Sequence, residues 1–299
     1  MNRGEAGETP QSVGWGIFWM CSSMLLFVCM DGATKYLIRT YPIAEVIWVR
    51  FIFHLLFMMP LMARRLPVLA KSRSPGLQVL RGVMVIVTNV AIIVALQFLP
   101  LAEVSVLGSV SPLIVTALSV PLLGEKVGAR RWIGVAIGLV GVVLVVRPGG
   151  DLIHWAAVFP LLGSISYAIN QISTRRLGGI DHPLTTVFYT ALVGVASTSV
   201  IVPFLWVTPD AMGWALMGGI GLLSLGGHIF SARAFQAAPA AAVTPFNYSS
   251  LVWATAVGYV VFGDLPDGWT VAGAAVIVAS GLYVLDRQRK KRKPEGTSE

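Results

Sequence analysis

Long apolar runs, broken by short polar or Gly/Pro-bearing stretches, fill almost the whole chain. The runs are continuous and do not alternate, so they read as helices and not as strands of a barrel. Many exceed roughly 18 residues, the length that carries a helix across a bilayer. Lipid offers no partners to backbone N–H and C=O groups, which leaves helices and closed barrels as the only spanning structures. The pattern predicts an all-α membrane protein with ten spans, near 13–33, 43–62, 78–98, 101–123, 130–146, 153–173, 184–206, 211–235, 240–262 and 269–285. Leu99–Pro100 and Ala238–Pro239 leave almost no loop, so the spans beside them form tight antiparallel hairpins. Pro-Gly-Gly at 148–150 divides the chain into two five-span units, 1–148 and 149–299.

The pattern is also written twice. Residues 95–146 and 234–285 align without a gap. Ala95/Ala234, Gln97/Gln236, Pro100/Pro239, Ala102/Ala241, Val104/Val243, Thr116/Thr255, Ala117/Ala256, Gly124/Gly263 and Gly134/Gly273 coincide. Self-similarity in an apolar chain marks a transporter built from two related halves, with its site between them. Basic residues orient it. With the N-terminus in the cytoplasm, 17 of the 22 Lys and Arg fall in cytoplasmic segments, Arg81 counted among them. Lys35, Arg39 and Arg147 fall on the other side, and Arg50 and Arg233 lie within spans. That bias puts both termini in the cytoplasm. Five is odd, so the second half enters from the opposite face and the repeat is inverted.

Composition removes other classes. Only 12% of residues are charged, about half the usual share for a soluble domain. The net charge of +8 suggests nucleic acid until its placement is seen: Arg287, Arg289, Lys290, Lys291, Arg292 and Lys293 follow the last run. A basic tail there anchors to anionic lipid. Cys21 and Cys29 sit in the first run and suggest neither disulfide nor metal. Glu5 and Glu8 stand where a signal peptide would be basic, so the first run reads as a retained helix. There is no H-E-x-x-H, no G-x-S-x-G and no acid pair at helical spacing within a span. Asp181-His182 and His154 fall in loops. No enzyme, cofactor or metal is expected.

Several motifs then point to a family. Each repeat carries a "P-L-L-G-E" or "V-F-G-D" stretch, Pro121–Glu125 and Val261–Asp264, followed by a glycine-containing last helix. Asp31-x-x-x-Lys35-Tyr36 ends the first span, and Trp48-x-Arg50-Phe51 lies in the second. Over nearly its whole length the chain resembles the EamA family of the drug/metabolite transporter superfamily. The resemblance implies ten helices in two inverted five-helix units that move small metabolites across the bacterial inner membrane. Among characterised members the chain looks most like the amino-acid exporters, those for aromatic amino acids above all.

Polar residues inside apolar helices map a pathway, because each must face protein or water. Ser105, Gly108, Ser109, Pro112 and Thr116 share one face of the fourth span, and their repeat partners Thr244, Asn247, Tyr248, Leu251 and Thr255 share one in the ninth. Ser109, Asn247 and Tyr248 read as cavity residues; Ser105 and Thr255 read as packing through back-bonded hydroxyls. Asn89 and His228, 139 apart, are repeat mates in mid-span. Arg50 costs at least about 2.5–3.5 kcal/mol in mid-helix unless paired or wet. It is either the carboxylate-binding group for an amino acid or a member of a structural ion pair. Asp31 and Lys35 are spaced to pair with each other, and Glu45 could reach Arg50. His54, on Arg50's face, reads as a core histidine. Tyr167, Asn170 and Gln171 give a further polar face, and Tyr189 follows in the seventh span. Trp48, Phe51, Phe188, Phe230, Phe246 and Trp253 could line an aromatic-friendly cavity.

Pro112, Pro245, Pro160 and Pro203 interrupt spans, and Gly226–Gly227 precedes His228. Proline removes a backbone hydrogen bond and bends a helix. Pro112, Gly226, Gly227 and Pro245 are therefore the expected hinges. Gly134, Gly138 and Gly141 form a small-residue stripe that packs helices within a monomer or seams a homodimer. Asp31, Glu45 and Glu103 fall near the non-cytoplasmic ends, which predicts gradient-driven movement of a small molecule without obligatory proton exchange. His54 and His228 leave proton-coupled export of drugs, nucleosides or other metabolites as the alternative.

Overall fold

The structure is a computed structural model that describes residues 10–62, 70–124, 127–147, 155–177 and 180–292. The 148–150 break, His154, Arg64, Arg65, Glu125, Lys126 and Lys293 lie outside the described residues. Every element described is helical. The first half contains α1 (Pro10–Leu37), α2 (Ile43–Met62), α3 (Pro75–Phe98), α4 (Leu101–Gly108), α5 (Ser111–Leu123) and α6 (Ala129–Val146). The second contains α7 (Val158–Leu177), α8 (Pro183–Ser199), the short α9 (Val202–Leu205), α10 (Ala211–Ala237), α11 (Ala240–Val243), α12 (Ser249–Val257) and α13 (Gly268–Arg292). Among the described residues seven helical stretches are long and apolar enough to cross a bilayer. Three of the ten expected spans fall short of that measure for local reasons. The stretch Leu184–Ser199 in α8 is apolar but short. The last turn of α7 carries Arg175 and Arg176. The 240–262 rod is broken into α11, a 3₁₀ turn (Thr244–Tyr248), α12 and a π turn (Gly258–Phe262).

Proline chemistry explains the breaks. Pro112 has no N–H for the carbonyl of Gly108, and the rod from 101 to 123 divides there into α4 and α5. Ser164 Oγ of α7 donates to Leu107 O at 3.1 Å and Gly108 O at 3.3 Å, supplying a donor that lipid could not. Pro245 falls in the 3₁₀ turn of the repeat mate. Both rods end on a left-handed glycine, Gly124 (φ 67°) and Gly263 (φ 75°). Their N–H groups return to Val120 O and Tyr259 O, each at 3.0 Å. A side chain would be strained at such an angle, which explains the glycine shared by the two repeat motifs. By contrast α10 runs unbroken through Gly226 and Gly227. A Cβ on Gly227 would lie 2.6 Å from the Phe27 ring, so these glycines admit α1 alongside α10.

Helix packing is close. α1 lies along α10, α3 along α7, α2 against α8 and α10, α3 against α8, α5 against α7, and α12 against α1. α6 and α13 meet through glycines. A Cβ on Gly134 would fall 2.6 Å from Val284, on Gly138 2.6 Å from Ser280 Oγ, on Gly141 2.8 Å from Ile277 and on Gly273 2.4 Å from Val145. The contact numbers rise on one helix as they fall on the other, so the pair is antiparallel. The 134–141 stripe therefore packs within the chain.

Chain reversals gather at two ends. The first end holds 38–42, 99–100, 200–210 and 263–267; the second holds 124, 127–128, 180–182 and 238–239. At the first end Leu37, Ile38, Tyr41, Val46, Ile47, Leu96, Leu99 and Leu101 form part of a buried core. Lys35 Nζ meets Asp264 Oδ2 at 3.3 Å and Leu99 O at 3.1 Å. Lys35 thus pairs across the halves and not with Asp31. Glu45 does not reach Arg50; its buried carboxylate accepts from Val207 N at 3.0 Å. Tyr41 OH donates to Asp210 Oδ1 at 3.0 Å, and Arg147 pairs with Asp267. At the second end Asp181 accepts from Ser72 Oγ, from Arg73 N at 2.9 Å and from Gln78 Nε2 at 2.8 Å. Burial pushes the Asp181 carboxyl up, but these hydrogen bonds and the Arg73 charge outweigh it and hold the group below the usual carboxylate range.

Candidate substrate cleft

The polar residues converge between α2, α3, α7 and α10. Arg50 Nη1 donates to Asn89 Oδ1 at 2.6 Å, and Nη2 approaches Ser224 Oγ of α10 at 3.5 Å. Asn89 is held by its own helix, with Nδ2 donating to Val85 O at 2.7 Å. Among the described residues the buried Arg50 Nε has no partner. His54, one turn along α2, is 5% exposed, and its Nε2 has no partner among the described residues. Its ring lies 5.9 Å from that of His228, which in turn lies 5.2 Å from Phe27. His228 is nevertheless exposed. His228 is thus exposed in mid-helix and flanked by Phe27 of α1 and His54 of α2.

A second guanidinium borders the same cleft. Arg81, in the second turn of α3, donates from Nε to Thr174 Oγ1 at 2.7 Å, from Nη1 to Thr186 O at 3.0 Å, and to Thr190 Oγ1. Thr174 also binds Asn170, its hydroxyl lying 3.2 Å from Oδ1 and 2.8 Å from the carbonyl. Tyr167, one turn earlier, is 41% exposed and accepts from Gln171 Nε2 at 3.1 Å. His228 stands within electrostatic reach of both Arg50 and Arg81, Tyr167 within that of Arg81, and Asp31 within that of Arg50. Asp31 therefore belongs to the cleft and not to the end of α1 alone.

Arg50, Asn89, Tyr167, Asn170 and His228 are thus brought together. The other expected residues are placed differently. Ser109 Oγ is back-bonded to Ser105 O at 2.7 Å, as Thr255 is to Leu251 O at 2.9 Å. Tyr248 points its hydroxyl at α13, where a Cβ on Gly281 would lie 1.8 Å away. Trp253 Nε1 donates to Cys21 O at 3.2 Å and packs against α1. Asn247 is half-buried within the 3₁₀ turn (Thr244–Tyr248). The expected aromatic lining is dispersed: Trp48 binds Ser199 and faces Trp206, Phe230 packs on Trp19, and Phe188 packs on Tyr189. Phe51 alone of these keeps to the site, its ring centroid 5.9 Å from the Arg50 guanidinium, and Phe27 lies beside His228. Arg81, Asp31 and Ser224 are members that sequence reasoning passed over. Arg81 carried a usable signal, since it lies seven residues into a helix opened by Pro75. Among the described residues no group of His, Cys, Asp and Glu could hold a metal ion.

Known proteins share this frame. The chain is 28% identical to a riboflavin transporter of Rhizobium johnstonii, covering 98% of this chain and 99% of that one. It is 26% identical to an S-adenosylmethionine uptake transporter of Rickettsia prowazekii, over 95% and 97%. It is 29% identical to a pseudopaline exporter of Pseudomonas aeruginosa, over 92% and 97%. A solved crystal structure shares the fold, with a TM-score of 0.62 and 17% identity over 93% of this chain and 99% of that one. The model of the EamA-like transporter family matches twice, over residues 14–147 and 154–285. A polar cleft inside apolar helices, in a chain that this model matches along almost its whole length, makes the protein a multi-pass membrane transporter of the EamA-like family.

Proposed function

We propose that this protein carries a small carboxylate-bearing metabolite across the bacterial inner membrane by alternating access, without catalysis or cofactor. Its frame is ten spans in two inverted units, 1–148 and 149–299, with both termini cytoplasmic. The α6–α13 seam supports the inversion. Gly134:Val284 and Gly273:Val145 are the same pair displaced by 139, as are Gly138:Ser280 and Gly141:Ile277. The wider packing repeats the exchange, with α1·α10 answered by α7·α3, α2·α10 by α8·α3, and α1·α12 by α7·α5. The substrate sits against Arg50, Asn89 and His228, with Tyr167 and Asn170 on the opposite wall.

One observation carries the reading: Arg50, in an apolar helix, is held by Asn89 at 2.6 Å beside an exposed His228. A guanidinium kept there has a planar fork ready for a carboxylate. Amino acids with aromatic or hydrophobic side chains are the expected cargo, and export the expected direction. The proline-broken rods 101–123 and 240–262 supply the bending points. Reconstituted protein should take up labelled amino acid against an internal pool, and Arg50→Lys should lower that flux at least tenfold. Equal flux by Arg50→Lys at equal expression removes the carboxylate role. The His54–His228 contact favours a second reading, proton-coupled export. Flux that requires an imposed pH gradient would establish it in place of gradient-driven movement.

A further inference from the structure

Arg50 and Arg81 share an unusual condition. Each is anchored by neutral groups alone: Arg50 by Asn89 and Ser224, Arg81 by Thr174, Thr186 and Thr190. Such contacts engage N–H donors, the Arg50 Nε not among them, but leave the charge in place. Among the described residues neither guanidinium has a carboxylate within 4.0 Å. Asp31 comes within electrostatic reach of Arg50 without contact. The cleft thus holds two fixed cations and one carboxylate. Asn89, which binds Arg50, is eight residues from Arg81 along α3, about 12 Å by helical rise. The charges form a ladder along the wall, with His228 within reach of both rungs.

A cation away from bulk water is costly unless something neutralises it. Two guanidiniums kept without ion pairs leave that role to the cargo. We propose that Arg50 and Arg81 make this cleft selective for net-anionic metabolites over zwitterions of the same shape, Arg50 holding the carboxylate and Arg81 drawing the anion in from the second end. The inference rests on the transport reading and replaces its aromatic and hydrophobic amino acids, which are zwitterions, with carboxylates of net negative charge. It also supplies a driving force. An anion leaving a negative-inside cell is expelled by the membrane potential, by roughly 50-fold at equilibrium for 100 mV, so no coupling proton is needed.

Matched solutes test the charge. Phenylpyruvate and phenylalanine share a ring and a carboxylate and differ by the ammonium. Glutamate and glutamine share the ammonium and differ by a side-chain charge. Full-length protein in proteoliposomes should take up the anion of each pair at least tenfold faster than its partner. An inside-positive potential should accelerate the anions alone, and raised salt should weaken the preference. Arg81→Gln should cut the anion-to-zwitterion ratio about tenfold, while Arg81→Lys, which keeps the charge, should retain most of it and report on folding. Equal or faster uptake of phenylalanine and glutamine, or an unchanged ratio in Arg81→Gln, overturns the inference and leaves the transport reading intact. Uptake of none of the four above empty vesicles overturns both.

Discussion

The α6–α13 seam and the Arg50 cleft come from the same duplicated sequence and use it in opposite ways. Along the seam every glycine contact has a counterpart 139 residues away, and backbone approaches backbone through Gly141 and Gly273. In the cleft the mates have diverged. Asn89 answers His228, an amide against an imidazole. The same offset of 139 sets Tyr189 opposite Arg50, a phenol against a guanidinium. Duplicated packing gives two units that fit each other; diverged polar groups give a cleft with a chemical direction. The frame is where the copies agree and the site is where they disagree.

The sharpest way to break the comparison is to remove the divergent charge. Arg50→Gln should reduce flux by about 100-fold or more with little loss of folded protein, because a neutral amide can still meet Asn89; a thermal-unfolding curve beside the flux assay separates the effects. Gly273→Val should act in the reverse sense. Its side chain would meet Val145 and Gly141 O, costing about 1–3 kcal/mol of stability, and flux should fall only with the amount of folded protein. Ser164→Ala probes the join between frame and site. It leaves Gly108 O with neither a helical nor a side-chain donor, at about 1 kcal/mol, read as a lowered unfolding temperature in detergent.

The smallest effect belongs to the second end. Asp181 titrates below its ordinary value, so its contribution is full above about pH 4 and fades as pH falls through the lower folded-state value. Asp181→Asn should cost about 1 kcal/mol at neutral pH and nothing at strongly acid pH. Stability profiles of the two proteins that stay parallel across this window would contradict the assignment.

Much of the frame was legible in the residues. The apolar runs gave the helices and the prolines gave the breaks at 112 and 245, whereas the left-handed caps at the shared Gly124 and Gly263 came from the structure. The cleft was legible in part. Arg50, Asn89 and His228 stood out because polar groups in apolar helices need partners. What sequence could not assign was rotation about the helix axis. Ser109, Tyr248 and Trp253 occupy faces that periodicity alone cannot orient, and they turned to their own helix, to α13 and to α1. Helix boundaries also mattered. Arg81 reads as a flanking charge until Pro75 is recognised as the first residue of α3. Lys35 was assigned to its nearest acid in sequence, whereas tertiary packing supplied Asp264, 229 residues away.

The central claim is that the cleft between the halves opens to water from alternate sides. His228→Cys in a background where Cys21 and Cys29 are Ser, challenged with a membrane-impermeant thiol reagent from each face in turn, tests it most directly. The account predicts modification from either face, with substrate protecting in both cases. Modification by a membrane-permeant reagent only, or from one face whatever the substrate gradient, would contradict it.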